Sequence, residues 1–212
     1  MRRAFASLIL AGGLLVMAGP TAMASTGGGF SADAYLAEGE FSDGLNDIDV
    51  QAYVGKLDGV AARQLTVAAF SQQDITCKGK GKAKGGPGAI LTQVYGVTDS
   101  FAITVDHKLG TATASATLTI TTDTLNSCTG QETFVDSSVS VALSLQAISG
   151  VTSTKSRTET TYPDGSKETQ TDKLDSRDAG GTATFKGTTY TVGFGRIGHD
   201  VYSDVFTLPR AH

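Results

Sequence analysis

The side chains that could carry out chemistry in this chain are few: His107, His199 and His212, the two cysteines Cys77 and Cys128, and a modest surplus of carboxylates. Nucleophilic hydrolysis needs a hydroxyl or thiol beside a base that a carboxylate orients. No G-x-S-x-G elbow is present, and the neighbours Asp106-His107 and His199-Asp200 would point to opposite sides of a strand rather than toward each other. Each histidine therefore reads as a surface or loop residue, with His212 in a frayed tail over 209–212. The alternative to a binding protein is a secreted hydrolase that uses carboxylates or histidines, provided folding gathers His107, His199 and acidic residues into one cleft.

Metal chemistry is poorly supplied. There is no HExxH pattern, and with both cysteines committed elsewhere three scattered histidines make a weak zinc set. Asp43, Asn46, Asp47 and Asp49, preceded by Glu38 and Glu40, offer hard oxygen ligands of the kind calcium takes. Their order is not that of an EF-hand, and Asp47 and Asp49 fall on the outer face of a strand through Ile48 and Val50. The segment reads as a solvated acidic turn, and no cofactor is expected.

Lysines form the most regular charged pattern. In CKGKGKAKGGPG, residues 77–88, Lys78, Lys80, Lys82 and Lys84 occupy every second position. An extended backbone would set them on one face about 7 Å apart, a comb suited to a repeating polyanion. The interleaved glycines favour a mobile loop instead, whose ordering on binding costs about 1 kcal/mol or more per residue. These four lysines are the candidate binding residues, with a solvated loop tip, or pairing with the acidic segment 38–49, as competing readings.

The elements that would position such residues begin after a leader. Arg2 and Arg3, an apolar run over 4–17 and Ala22-Met23-Ala24 compose an export signal over 1–24. The run is too short to span a bilayer, so no membrane span is expected in the mature chain. The formal charge is −4; removing Arg2 and Arg3 leaves 15 basic against 21 acidic residues, or −6. That balance argues against nucleic acid as the main partner. An oxidising destination, extracellular or periplasmic, pairs Cys77 with Cys128 in a disulfide, since no other intramolecular pairing exists.

Period-two alternation dominates the mature chain. TATASATLTIT at 111–121 sets Ala112, Ala114, Ala116, Leu118 and Ile120 on one face and hydroxyls on the other. The same alternation runs through Ile48 to Val54, Phe101 to Val105 and Val139 to Leu145. Further strands are expected at Leu65-Val67, Ile75-Cys77, 90–97 and 182–192, and only 61–73 has any helical competitor. Many short strands with 26 glycines predict an all-β protein, an antiparallel β-sandwich with a β-barrel as the alternative. Alanines on the inner faces predict close sheet contact rather than a wide ligand-filled interior.

Residues 151–181 depart from this pattern, being densely charged and nearly free of aliphatics. Tyr162-Pro163-Asp164-Gly165 is a turn, since Pro163 presets one corner and Gly165 accepts the left-handed other. A bulged type I turn sets Glu159 diagonal to Lys167 and Lys155 opposite Lys173. The segment is expected as a polar hairpin projecting from the sheet. The organisation is then a signal over 1–24, a flexible segment over 25–33, one domain over 34–208 and a short tail. The expected function is non-enzymatic binding of an extracellular polymer or surface partner through exposed loops.

Overall fold

The structure, a computed structural model, describes residues 29–44, 46–79 and 85–208. The export segment 1–24, three of the comb lysines (Lys80, Lys82 and Lys84) and His212 lie outside those residues. Eleven strands run in order: β1 (Gly29–Ser42), β2 (Asp47–Leu57), β3 (Val60–Thr76), β4 (Pro87–Thr98), β5 (Ala102–Val105), β6 (Thr111–Asn126), β7 (Gln131–Ala147), β8 (Thr152–Thr161), β9 (Lys167–Phe185), β10 (Thr188–Thr191) and β11 (Phe194–Thr207). No helix occurs among the described residues, and every pairing is antiparallel, as the alternation predicts.

All the strands share one hydrogen-bonded sheet. Following the pairings β1-β2-β3-β4-β6-β7-β9-β11 leads back to β1, a ring of eight strands. β5 and β10 add short flanks, and β8 pairs with β9 alone. Register carries one face of each strand inward: Ala37 lies opposite Ala52 and Ile197, Val50 opposite Val67, and Leu143 opposite Ala183. Ile48, Val50, Leu65, Val67, Ile120 and Ile197 are almost fully buried there. At about 25 cal/mol per Å² of apolar surface removed from water, these side chains supply much of the fold's stability.

The interior is narrow, as its small residues predict. A Cβ placed on Gly39 would stand 2.6 Å from Leu143 Cδ1 on the far strand β7, and one on Gly96 would stand 2.7 Å from Ile120 Cγ2. Glycine at these two positions makes room for a branched neighbour. Phe41 closes the top of the core against Phe185 and Tyr190, the latter stacked at 5.2 Å.

Three local expectations differ from the structure. Residues 29–33, assigned from composition to a flexible segment, are the start of β1 and pair with β11, Ser31 facing Ser203. Residues 182–192 are not one strand. The chain reverses at Lys186-Gly187, both with positive φ, and returns as β10, the turn geometry that matches strand twist. Residues 151–181 do form a hairpin, with Tyr162 N–H donating to Ser166 C=O at 2.9 Å and Lys155 opposite Lys173. It does not project freely, however, because β9 is held along its whole length: residues 167–179 pair with β11 and 179–185 with β7. β8 alone hangs on the edge, exposed at all ten residues.

Candidate functional site

Cys77 and Cys128 form the expected disulfide, their Cα atoms 5.2 Å apart. It ties the β3–β4 connection to the β6–β7 turn. Cys77 N–H donates to Gly86 C=O at 2.9 Å, and Ser127 exchanges hydrogen bonds with Ala89. A Cβ on Gly88 would lie 2.4 and 2.5 Å from the two sulfurs, so the crosslink sits hard against β4. Lys78 follows directly and is exposed. Antiparallel pairing puts this end of β3 and β4 at the opposite end of the sheet from the β8–β9 turn. Lys78 and the β8–β9 turn therefore stand apart.

On β8 and β9 the alternation separates the charges by sign. Odd-numbered positions continue the inward face of the ring beyond its closed part, since Arg177 lies opposite the buried Ile197. That face carries Lys155, Arg157, Lys167, Lys173 and Arg177, against Glu159 and Asp175. Glu159 accepts from Lys167 at 3.3 Å and pairs with Arg157 at 3.5 Å, while Lys173 reaches Asp175 at 2.6 Å. The hydrogen bond from Lys173 holds the Asp175 carboxyl below the usual carboxylate range. Lys155 has no ion-pair or hydrogen-bond partner among the described residues, although it stands directly opposite Lys173. The even-numbered face is acidic: Glu168 and Asp172 from β9 meet Asp200 and Asp204 from β11. Burial, together with a hydrogen bond to Asp172 and its charge, pushes Asp200 up to about 6, and burial beside Glu168 raises Asp204. Tyr162 at the turn donates to Glu168, which lowers that carboxyl.

The histidines, read singly as surface or loop residues, converge. His107 Nδ1 lies 2.8 Å from the Tyr35 hydroxyl, and the Tyr35 ring stacks on His199 at 4.3 Å and 11°. His199 Nε2 is 2.7 Å from Asp33 Oδ1. Only the His199-Asp200 pair lies on a strand as expected, and there Asp200 faces Asp172; Asp106 and His107 belong to the turn after β5, where Asp106 accepts from the Lys108 and Gly110 N–H groups. The partner of each histidine comes from β1 instead, which no local spacing could announce.

The acidic segment is only partly a solvated turn. Asp43 accepts from the Asn46 backbone and amide, both at 2.7 Å, and closes the β1–β2 connection. Glu38 is 2% exposed, however. Gln51 bridges it to Asp49, donating at 3.2 and 2.7 Å, and Arg196 stands 2.7 Å from Glu38 Oε2, off the line of an aligned hydrogen bond. Burial, with the charges of Glu38 and Glu40 nearby, pushes Asp49 up to about 7. Among the described residues no group of three or more His, Cys, Asp or Glu is placed to hold a metal ion, and no helix is long and apolar enough to cross a membrane. No family model, curated protein or solved structure matches this chain.

Proposed function

We propose that this is an exported, non-enzymatic protein that binds an anionic extracellular polymer or surface through the cationic face of β8 and β9. Lys78, Lys80, Lys82 and Lys84 supply a second contact, of which Lys78 stands at the other end of the sheet. The observation that carries the reading is the opposition of Lys155, which has no partner among the described residues, and Lys173, whose ammonium is shared with Asp175 alone. Like charges directly across an antiparallel pair are destabilising. An anionic group seated between them turns that cost into attraction. From Lys167 to Arg177 the cationic positions extend over about 33 Å, enough for several charges of a linear polymer. The net charge of −6 left once the export signal is removed does not oppose this, because screening within about 8 Å at physiological salt leaves the local face to decide. The disulfide suits an oxidising compartment.

The test is retention of the mature protein on heparin across a salt gradient. Lys155→Gln/Lys173→Gln should elute at clearly lower salt and lower the slope of log affinity on log salt by about two. Changing all four loop lysines to glutamine should lower retention further and independently. Unchanged elution of both variants refutes the reading.

A hydrolytic reading draws support from one observation, the chain His107-Tyr35-His199-Asp33, which provides acid and base groups within hydrogen-bonding reach. It requires a turnover that His107→Ala and His199→Ala each abolish without unfolding the protein. Turnover that survives both changes excludes it.

A further inference from the structure

β8 is bound on one side only, and the turn determines which of its groups are left over. Because Tyr162 N–H donates to Ser166 C=O, the even-numbered residues of β8 bond to β9. The odd-numbered residues Ser153, Lys155, Arg157, Glu159 and Thr161 turn their N–H and C=O groups to the open edge. An unpaired row of this kind is a template for another strand.

We infer that β8 pairs antiparallel with β8 of a second copy of this chain, about a two-fold axis at Thr158. Charge decides both partner and register. Backbone bonds form only when odd residues face odd residues. An axis at Arg157 sets that arginine against itself, and one at Ser156 sets Lys155 against Arg157 twice. An axis at Glu159 sets that carboxylate against itself, and one at Thr160 brings Pro163, which has no N–H, against Arg157, whereas at Thr158 Pro163 meets only Ser153, beyond the paired stretch. Axes at Lys155 or nearer Ser153 shorten the overlap. At Thr158, Arg157 faces Glu159 twice, Lys155 faces Thr161 twice, and no like charges meet. Four such pairs with two bonds each give about eight backbone hydrogen bonds. Arg157 and Glu159 are already extended and exposed, with side chains 66% and 44% open. Charges on an edge usually discourage pairing. Here they admit a single register, and a two-fold contact closes at two copies rather than growing into a fibre. The dimer would lay two cationic faces in one continuous sheet, but its formation needs no polyanion and does not depend on the binding function proposed above.

Sedimentation equilibrium of the exported protein, without added polymer, should show a concentration-dependent dimer. Arg157→Glu and Glu159→Arg should each raise the dissociation constant by about tenfold or more, by creating two like-charge pairs. The double variant, which swaps the charges, should restore it. Thr158→Cys should form a covalent dimer under mild oxidation, because a non-hydrogen-bonded pair brings Cα atoms to about 4.5 Å. Thr154→Cys, opposite Tyr162 in this register, should not. A monomer at 100-fold range of concentration up to about millimolar, the strength of a weak contact, overturns the inference. So does a dimer indifferent to the single reversals, or a double variant that fails to recover.

Discussion

β6 and β8 start from nearly the same rhythm. TATASATLTIT and TSTKSRTETT both place a hydroxyl at almost every second residue. In β6 the alternate positions are Ala112, Ala114, Leu118 and Ile120, which are buried, and the strand is paired with β4, β5 and β7. In β8 they are Lys155, Arg157 and Glu159, which are exposed, and the strand keeps one neighbour. Threonine spacing makes both of them strands. What fills the gaps decides whether a strand closes the ring or borders it, because only apolar surface gains from being enclosed.

The sharpest way to break this comparison is at the covalent end of β6. Replacing Cys77 and Cys128 together by alanine should cost about 4 kcal/mol in denaturant unfolding, since the crosslink spans a 51-residue separation. A loss below 1 kcal/mol would mean that β4 and β6 hold the ring without it. Ile120→Ala, at a fully buried site of β6, should cost about 3 kcal/mol, whereas Ser156→Ala in β8 should stay within about 0.5. Equal effects would show that β8 is as integral as β6.

Charge gives a subtler contrast, because the outer face of the ring buries a carboxylate while the ribbon exposes its own. Asp49 has its folded pKa near 7 against an ordinary 3.8, so between those values the folded state holds a proton that the unfolded state has lost. Stability contributed by that proton is therefore full below about pH 4 and is lost as pH rises toward 7. Asp49→Asn should remove this slope and raise stability at pH 8 by about 2 kcal/mol relative to the wild type. Thermal melts from pH 4 to 8 measure it; parallel curves for the two proteins would contradict the burial of Asp49. The smallest effect belongs to the ribbon. Lys155→Gln should stabilise the protein by about 0.5 kcal/mol, because the opposing Lys173 is relieved. A destabilised variant would mean that the two ammonium groups do not meet.

Parts of the candidate site were readable before folding and parts were not. Lys155 facing Lys173, and Glu159 near Lys167, follow from the Tyr162–Gly165 turn, because a hairpin's register is local. The His107-Tyr35-His199-Asp33 chain joins His107 to a tyrosine 72 positions away and His199 to an aspartate 166 positions away, far beyond any spacing rule. Gln51 bridging Glu38 and Asp49 near Arg196 likewise takes in three strands, two of them adjacent only because the ring closes between β1 and β11. The lysine comb remains a sequence observation beyond Lys78, since Lys80, Lys82 and Lys84 lie outside the described residues.

Alternation, turn chemistry and cysteine count were enough to specify an antiparallel all-β chain, the face that β2, β3, β6 and β7 each bury, one polar hairpin and one disulfide, but not β1 or β11. These are all short-range properties: the pleat has period two, a turn spans four residues, and two cysteines allow one pairing. The return of β11 to β1, the burial of Glu38 and Asp49, the meeting of two histidines on one tyrosine and the open edge of β8 were decided only in three dimensions. Each depends on which distant strands become neighbours, and that choice is made by the packing of the whole core rather than by any local run of residues.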